Sequence, residues 1–430
     1  MNDRDENLLT FPQTKYTMMR PPMQAHRFKA DLDPRQRKWA AQAAGANRWI
    51  YNEARKHCAA LYAGGGKYPG FVALCKELTG WRAAQPWLRA GCAQSQQATL
   101  ADFDMAMQRM FKKLSGRPVR KTRQNCRPSL QFPQLKGDIQ QVSATIARVK
   151  LPKLGWVRFP LSRAVVGTIR SVTLSRDACF DWHIVVLTDA DVRLPVAPPG
   201  TAIGIDLGVA ATAAYSDGST FSLFVPSKTD ERHLLRLKRR LARRTRGSKR
   251  RERAKLAVAK CLRKDARRRA DALHKESTRI ARAHRLVVVE DLGVKRMTAS
   301  AKGKGRAAKA GLNRAILAQG WRAFRSMLAY KTARRTGDLV AVPAAFTSQR
   351  CSACGHVDAG NRPSQAVFCC LNCGHAANAD MNAAMNILAA GQAASARGRA
   401  LRPVVRGTSV RARLAARLKR EPVETDHAQA

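Results

Sequence analysis

CSACGHVDAGNRPSQAVFCCLNCGHAANADMNAAMNIL, residues 351–388, places a run with metal-ligand spacing directly ahead of an acid on an apolar helix. Cys351-x2-Cys354, fifteen intervening residues and Cys370-x2-Cys373 form the paired-knuckle spacing of a four-thiolate zinc site. Gly355 and Gly374 follow the second cysteine of each pair and let each hairpin close tightly around one tetrahedral ion. A chance cluster or an iron site is the competing reading. Cys369 could enter the count, but Cys370-x2-Cys373 repeats the first pair's spacing and Cys369-x3-Cys373 does not. Four protein ligands leave no open position for water, so one structural zinc ion is expected. His356 and His375 are read as neighbours of the ligands.

The acid that follows, Asp380, begins a helix whose Ala383, Ala384, Ile387 and Leu388 share an apolar face. Two further acids have comparable settings. Asp206 stands on the apolar strand GIDLG just before Gly208, and Glu290 closes LVVVE. Each alone is ordinary, since acids cap strands and begin helices. Three against core elements are less so, because buried carboxylates are costly unless a cation neutralises them. Hard oxygen donors suit two magnesium ions about 4 Å apart, which activate water and stabilise the departing oxygen in phosphodiester cleavage. Asp291 points to the other side if the strand persists, and Asp217 and Asp358 sit in turns, so all three rank lower.

The whole chain fits a polyanion-binding protein. Its 430 residues are 45% hydrophobic, enough for several cores, and 79 Lys plus Arg against 30 Asp plus Glu give a formal charge of +49. Composition does not choose between RNA and DNA. An anionic membrane is the rival partner, but no run of about 18 apolar residues is present and the opening MNDRDENLL is acidic, so no membrane association and a cytoplasmic protein are expected. Six other cysteines (58, 75, 92, 126, 179, 261) are scattered singles, read as reduced and inert.

Along the chain, residues 1–15 read as frayed. A long helix follows Asp33-Pro34, with Trp39, Ala43, Ala46, Ile50 and Ala54 on one face, and a second helix spans 95–114. Stretches 145–160, 167–176 and 180–189 alternate like strands and suggest a β-barrel. Residues 202–224 read as strand, turn, strand; 231–285 as a basic helical hairpin broken at Gly247-Ser248; and 300–311 as a flexible basic loop. The end, from about 395, is basic with no convincing core. Trp49, Tyr51, Trp156 and Trp182 are read as core rather than base-stacking aromatics.

The motifs GIDLG (204–208), VVVEDLGVKRM (287–297), TSQRCSACGH (347–356), FCCLNCGH (368–375) and ADMNAAMNIL (379–388), in this order, resemble the transposon-encoded RNA-guided DNA endonucleases of the TnpB (OrfB) family, which is related to the type V CRISPR effectors. The resemblance is strongest over 201–390 and weaker over 26–200. It implies an α/β multidomain fold: an RNase H-like (RuvC) nuclease core split by a four-cysteine zinc insert, with an N-terminal β-barrel wedge domain interrupted by a helical recognition lobe. The implied boundaries are wedge 1–35 and 121–200, recognition lobe 36–120, nuclease domain 201–346 and 377–395, zinc-bearing target-loading insert 347–376, and basic tail 396–430. Asp206, Glu290 and Asp380 then form the catalytic triad that binds two magnesium ions.

The resemblance further implies a protein that binds a guide RNA and recognises a short motif beside double-stranded target DNA. It then cuts both strands with one active site. Sequence reading rests on base pairing, and protein charge holds the heteroduplex. Candidate nucleic-acid contacts are Arg48, Arg109, Lys112 and Lys113 on the helices of the implied recognition lobe, and Lys238, Arg239, Arg243, Arg244 and Lys249 on the basic hairpin; solubility is the plainer reading of each. A monomer is expected, with a dimer as the alternative, acting at the prokaryotic nucleoid. The competing functions are an RNA-guided repressor that does not cut, disfavoured by the intact acids, and a DNA transposase acting by strand transfer, disfavoured by the zinc insert between the second and third acids.

Overall fold

The computed structural model describes residues 23–135, 139–189, 194–300 and 305–396. Residues 1–15, expected to be frayed, residues 301–304 of the expected basic loop and nearly all of the basic tail lie outside the described residues. The chain divides into two compact units, with the described residues 23–189 in the first and 194–396 in the second.

The first unit comprises β1 (Met23–Lys29), α1 (Pro34–Ala63), α2 (Gly70–Ala84), α3 (Pro86–Arg89), α4 (Ala93–Phe111), β2 (Ser129–Phe132), β3 (Gln140–Ser143), β4 (Ile146–Leu151), β5 (Gly155–Pro160), β6 (Thr168–Arg176) and β7 (Trp182–Asp189). Helix α1 starts where the sequence says it should. Pro34 occupies its first turn, and Asp33 and Gln36 close a reciprocal capping box. Its buried Ala46, Ile50 and Ala54 pack with Leu74, Leu78, Leu88, Leu100 and Phe103 of the other helices into one core. Helices α2 and α3 have no counterpart in the sequence reading.

The expected β-barrel does not close. Among the described residues the strands form two open antiparallel sheets, β1-β7-β6-β2 and β3-β4-β5, linked by a bridge between Asp31 and Arg158. Both contribute to one core, in which Phe28 stacks on Phe159 with ring centres 5.0 Å apart. Alternation encodes one apolar face per strand, not which edges pair. The short β3 is fully exposed and its pairing is irregular between Gln141 and Ser143, so it ends its sheet rather than joining it to the other. Tyr51 and Trp182 are buried, whereas Trp156 is partly exposed beneath the Arg148 guanidinium at 4.4 Å.

The second unit comprises β8 (Ala202–Asp206), β9 (Ala213–Tyr215), β10 (Thr220–Phe221), α5 (Lys228–Ala242), α6 (Lys249–Ala283), β11 (Leu286–Glu290), α7 (Val294–Met297), α8 (Arg306–Gln319), α9 (Trp321–Ala333), β12 (Asp338–Val342), β13 (Val367–Cys369), β14 (Ala376–Asn378) and α10 (Ala379–Ala396). Its main sheet has the order β10-β9-β8-β11-β12, with β8, β11 and β12 parallel and the first three strands antiparallel. This is an α/β, RuvC-like core. The basic hairpin breaks at Gly247 (φ +84°), and Ser248 caps α6. The loop expected over 300–311 is helical from Arg306 onward.

Candidate active site and metal centre

Register brings two acids together at the carboxyl ends of two interior strands. Val289 lies opposite Ile205 in the parallel pair β8/β11, so Asp206 and Glu290 leave adjacent strands side by side at their carboxyl ends. Such strands run ~4.8 Å apart. The third acid arrives on α10, which packs closely across β8 and β11. A Cβ on Gly204 would overlap the Ala384 carbonyl and Leu388, and one on Gly391 would overlap Val288. Asn378 Oδ1 accepts the backbone N–H groups of Asp380 and Met381 at 3.0 and 3.1 Å, so Asp380 stands in the helix's first turn, where the dipole favours its charge.

The three acids interact. Burial, then the charges of Glu290 and Asp380, push the Asp206 carboxyl up to about 7, against the pull of Arg362 and of a backbone hydrogen bond at Leu207. Burial also raises Glu290, opposed by the Thr347 hydroxyl, which donates to its Oε1 at 2.6 Å. Arg362 Nη2 donates to Asp380 Oδ1 at 2.9 Å and to the Gln365 carbonyl at 2.7 Å. Hard oxygen donors that are costly to leave charged, through burial first and mutual repulsion second, suit a divalent cation, so the residues fit magnesium. The lower-ranked acids are engaged elsewhere. Asp291 pairs with Arg325 at 2.5 Å, Asp217 accepts from Ser219, and Asp358 accepts from the Gly360 N–H.

The four cysteines at 351, 354, 370 and 373 form a cluster able to coordinate a metal. Their sulfurs all lie within 4.8 Å of one another, with Cys351–Cys373 at 3.7 Å and Cys354–Cys370 at 3.6 Å. A tetrahedron with metal–sulfur bonds of about 2.3 Å has edges of about 3.8 Å, so the geometry fits zinc. The two knuckles repeat one pattern: the Cys351 N–H donates to the His356 carbonyl and the Cys370 N–H to that of His375, while Gly355 (φ +80°) and Gly374 (φ +72°) turn the chain back. Cys369 is exposed outside the cluster, with buried Phe368 beside it.

Several residues that join the knot to the acids went unremarked in the sequence. Besides Arg362 and Thr347 they include buried Asn361, which bonds both knuckles through the Gln349 carbonyl and the Leu371 N–H. On α10, Asn382 bonds the Ser352 N–H and the Arg350 carbonyl, and Asn386 bonds the carbonyls of Thr347 and Arg350. Asparagines four apart in an alanine-rich helix were the available signal.

The candidate nucleic-acid contacts lie on helices of both units or just beyond their ends. Arg109, Lys112 and Lys113 are exposed around the end of α4 and Arg48 is half-buried in α1. Lys238, Arg239 and Arg243 are exposed at the end of α5, Arg244 is half-buried just after it, and Lys249 is exposed at the start of α6. A groove of about 580 Å³ is lined by Arg232, Arg236, Arg239, Arg240, Arg243 and Arg244 around Leu235. Three of these arginines were not singled out by sequence. Among the described residues no helix is long and apolar enough to cross a membrane.

Residues 183–301 match the family model described as OrfB_IS605, "Probable transposase", and residues 321–387 match "Cas12f1-like, TNB domain". The Escherichia coli (strain K12) protein named "Putative RNA-guided DNA endonuclease InsQ" is 38% identical over 386 residues, covering 87% of this chain and 94% of that protein. The chain belongs to the TnpB (OrfB) family. A second member, from Streptomyces pristinaespiralis and named "Putative RNA-guided DNA endonuclease", is 31% identical over 84% of this chain and 87% of its own. The solved Cas12f1-sgRNA-target DNA complex aligns with a TM-score of 0.52 at 16% identity, over 82% of this TnpB-type chain and 81% of that one, a likeness of fold.

Proposed function

We propose that this protein is an RNA-guided DNA endonuclease that binds a guide RNA, recognises a short motif beside its double-stranded target, and hydrolyses both strands at Asp206, Glu290 and Asp380. The observation that carries the reading is geometric: Asp206 and Glu290 end adjacent parallel strands, and α10, which begins with Asp380, packs closely across those strands. Asp206, Glu290 and Asp380 would hold two magnesium ions, which when bound would supply Lewis-acid charge and lower the pKa of water. The chain's own groups prepare the site. The Thr347 hydroxyl fixes Glu290 in one rotamer and favours its ionised form. Arg362 balances Asp380 and offers a guanidinium suited to phosphate.

One zinc ion at the cysteine cluster has a structural role in this reading, since four thiolates leave no position for substrate. Residues 347–376 then act as a target-loading insert, and the first unit supplies the wedge and recognition functions. The Arg-lined groove of α5, with Arg48, Arg109, Lys112, Lys113 and Lys249, contacts phosphate.

The test is to express the chain with its native flanking DNA, sequence the RNA that co-purifies, and assay cleavage of matching duplexes with magnesium. A single abundant RNA and cutting that falls at least a hundred-fold in Asp206→Ala, with target binding retained, supports the reading. Binding without cutting by the unaltered protein supports a repressor, and joined rather than hydrolysed ends support a transposase.

A further inference from the structure

Phe346 is 65% exposed, the most exposed aromatic side chain among the described residues. Its backbone φ of +62° lies in the left-handed region, which a bulky residue enters only at a cost. A phenylalanine that gains little burial and holds a strained backbone serves a turn less well than glycine or asparagine would. Yet this turn is fastened firmly. The Phe346 carbonyl accepts the N–H groups of Gln349 and Arg350 at 3.1 and 3.0 Å. The next residue, Thr347, donates to Glu290 at 2.6 Å, and Asn386 of α10 donates to the Thr347 carbonyl at 3.0 Å. The turn is therefore bonded to the strand that carries Glu290 and to the helix that carries Asp380.

We propose that Phe346 is a stacking platform for a nucleobase flanking the scissile phosphate, a substrate-positioning residue of the site. The inference rests on the nuclease reading above. Three carboxylates and their cations hold a phosphate but leave the attached bases free to rotate, and in-line hydrolysis is sensitive to such misplacement. A fixed aromatic plane limits that freedom without regard to sequence, because every base has a π-face. That tolerance suits an enzyme whose sequence reading is done by base pairing.

The test uses the full chain with its co-purified RNA and target duplexes carrying one 2-aminopurine at successive positions across the cleaved region, with calcium replacing magnesium to prevent cutting. The unaltered protein and Phe346→Tyr should quench one position that stays bright with Phe346→Gly. With magnesium, Phe346→Gly should lower the single-turnover rate at saturating DNA about ten-fold, and Phe346→Tyr or Phe346→Trp should restore it. Glycine relieves the +62° backbone, so the variant should melt no lower than the parent, which separates the effect from misfolding. Unchanged quenching or an unchanged rate in Phe346→Gly overturns the proposal. Absence of cutting by the unaltered protein instead overturns the nuclease reading, and the calcium experiment still decides stacking.

Discussion

Arg362, on the loop between the two cysteine pairs, donates a hydrogen bond to Asp380 at 2.9 Å. The cysteine knot is thus joined to the third acid through a side chain of its own loop as well as through the backbone that follows it. Without metal this guanidinium holds Asp380, so an added cation has to compete with it for the carboxylate. Both groups are partly exposed, at 23% and 32%, so the pair is worth little as stability. Arg362→Ala should lower the magnesium concentration for half-maximal cleavage about two- to five-fold. A magnesium titration of the cleavage rate checks this, and a shift to higher magnesium refutes it.

Gly204 sets how closely α10 approaches the sheet. Gly204→Ala places a methyl against the Ala384 backbone carbonyl, which cannot rotate away, and should cost about 1–3 kcal/mol while displacing Asp380. Gly311→Ala in α8, where a Cβ meets nothing within 4 Å, should instead stabilise by roughly 0.5–1 kcal/mol. Calorimetry of the two variants should give melting shifts of opposite sign, with cleavage reduced only in the first.

The cysteine cluster should hold one zinc ion per chain. Cys354→Ser should release it and lower the melting temperature, because the metal closes both knuckles. Cys369→Ser should leave the zinc content unchanged, since that thiol lies outside the cluster. Metal analysis of the purified proteins distinguishes the two.

Asp206 makes the metal-free protein's stability depend on pH. Its native carboxyl is held up to about 7, whereas an unfolded aspartate titrates near ~3.9. Between these values the native state keeps a proton that the unfolded state has released, so this contribution is full below pH ~4 and is lost as pH rises through 7. Without divalent cations, the parent should lose more melting temperature from pH 5.5 to 7.5 than Asp206→Asn does. Magnesium at pH 7.5 should recover the difference by taking the proton's place.

Much of the site was legible because its signals are local. Ligand spacing identifies the four cysteines within one short stretch, and a capping box or a Gly-Ser break marks a helix end wherever the chain runs. The apolar strands ending at Asp206 and Glu290 were recognisable for the same reason. Arg362, Thr347, Asn382 and Asn386 were not, because nothing local tells a bonded side chain from a solvated one. Their bonds span from eighteen to fifty-seven residues of sequence.

The sequence by itself determined the knuckles, the acid-bearing strands and the apolar face of α10, since spacing and periodicity act within one element. Only the tertiary structure decided that the first unit's sheets stay open, because edge pairing depends on which strands meet rather than on which face each buries. It likewise decided that Gly204 lets α10 bring Asp380 toward Asp206 and Glu290. The burial of Asp206 and its proximity to the other two charges, which together raise its carboxyl, belong to no single stretch of the chain.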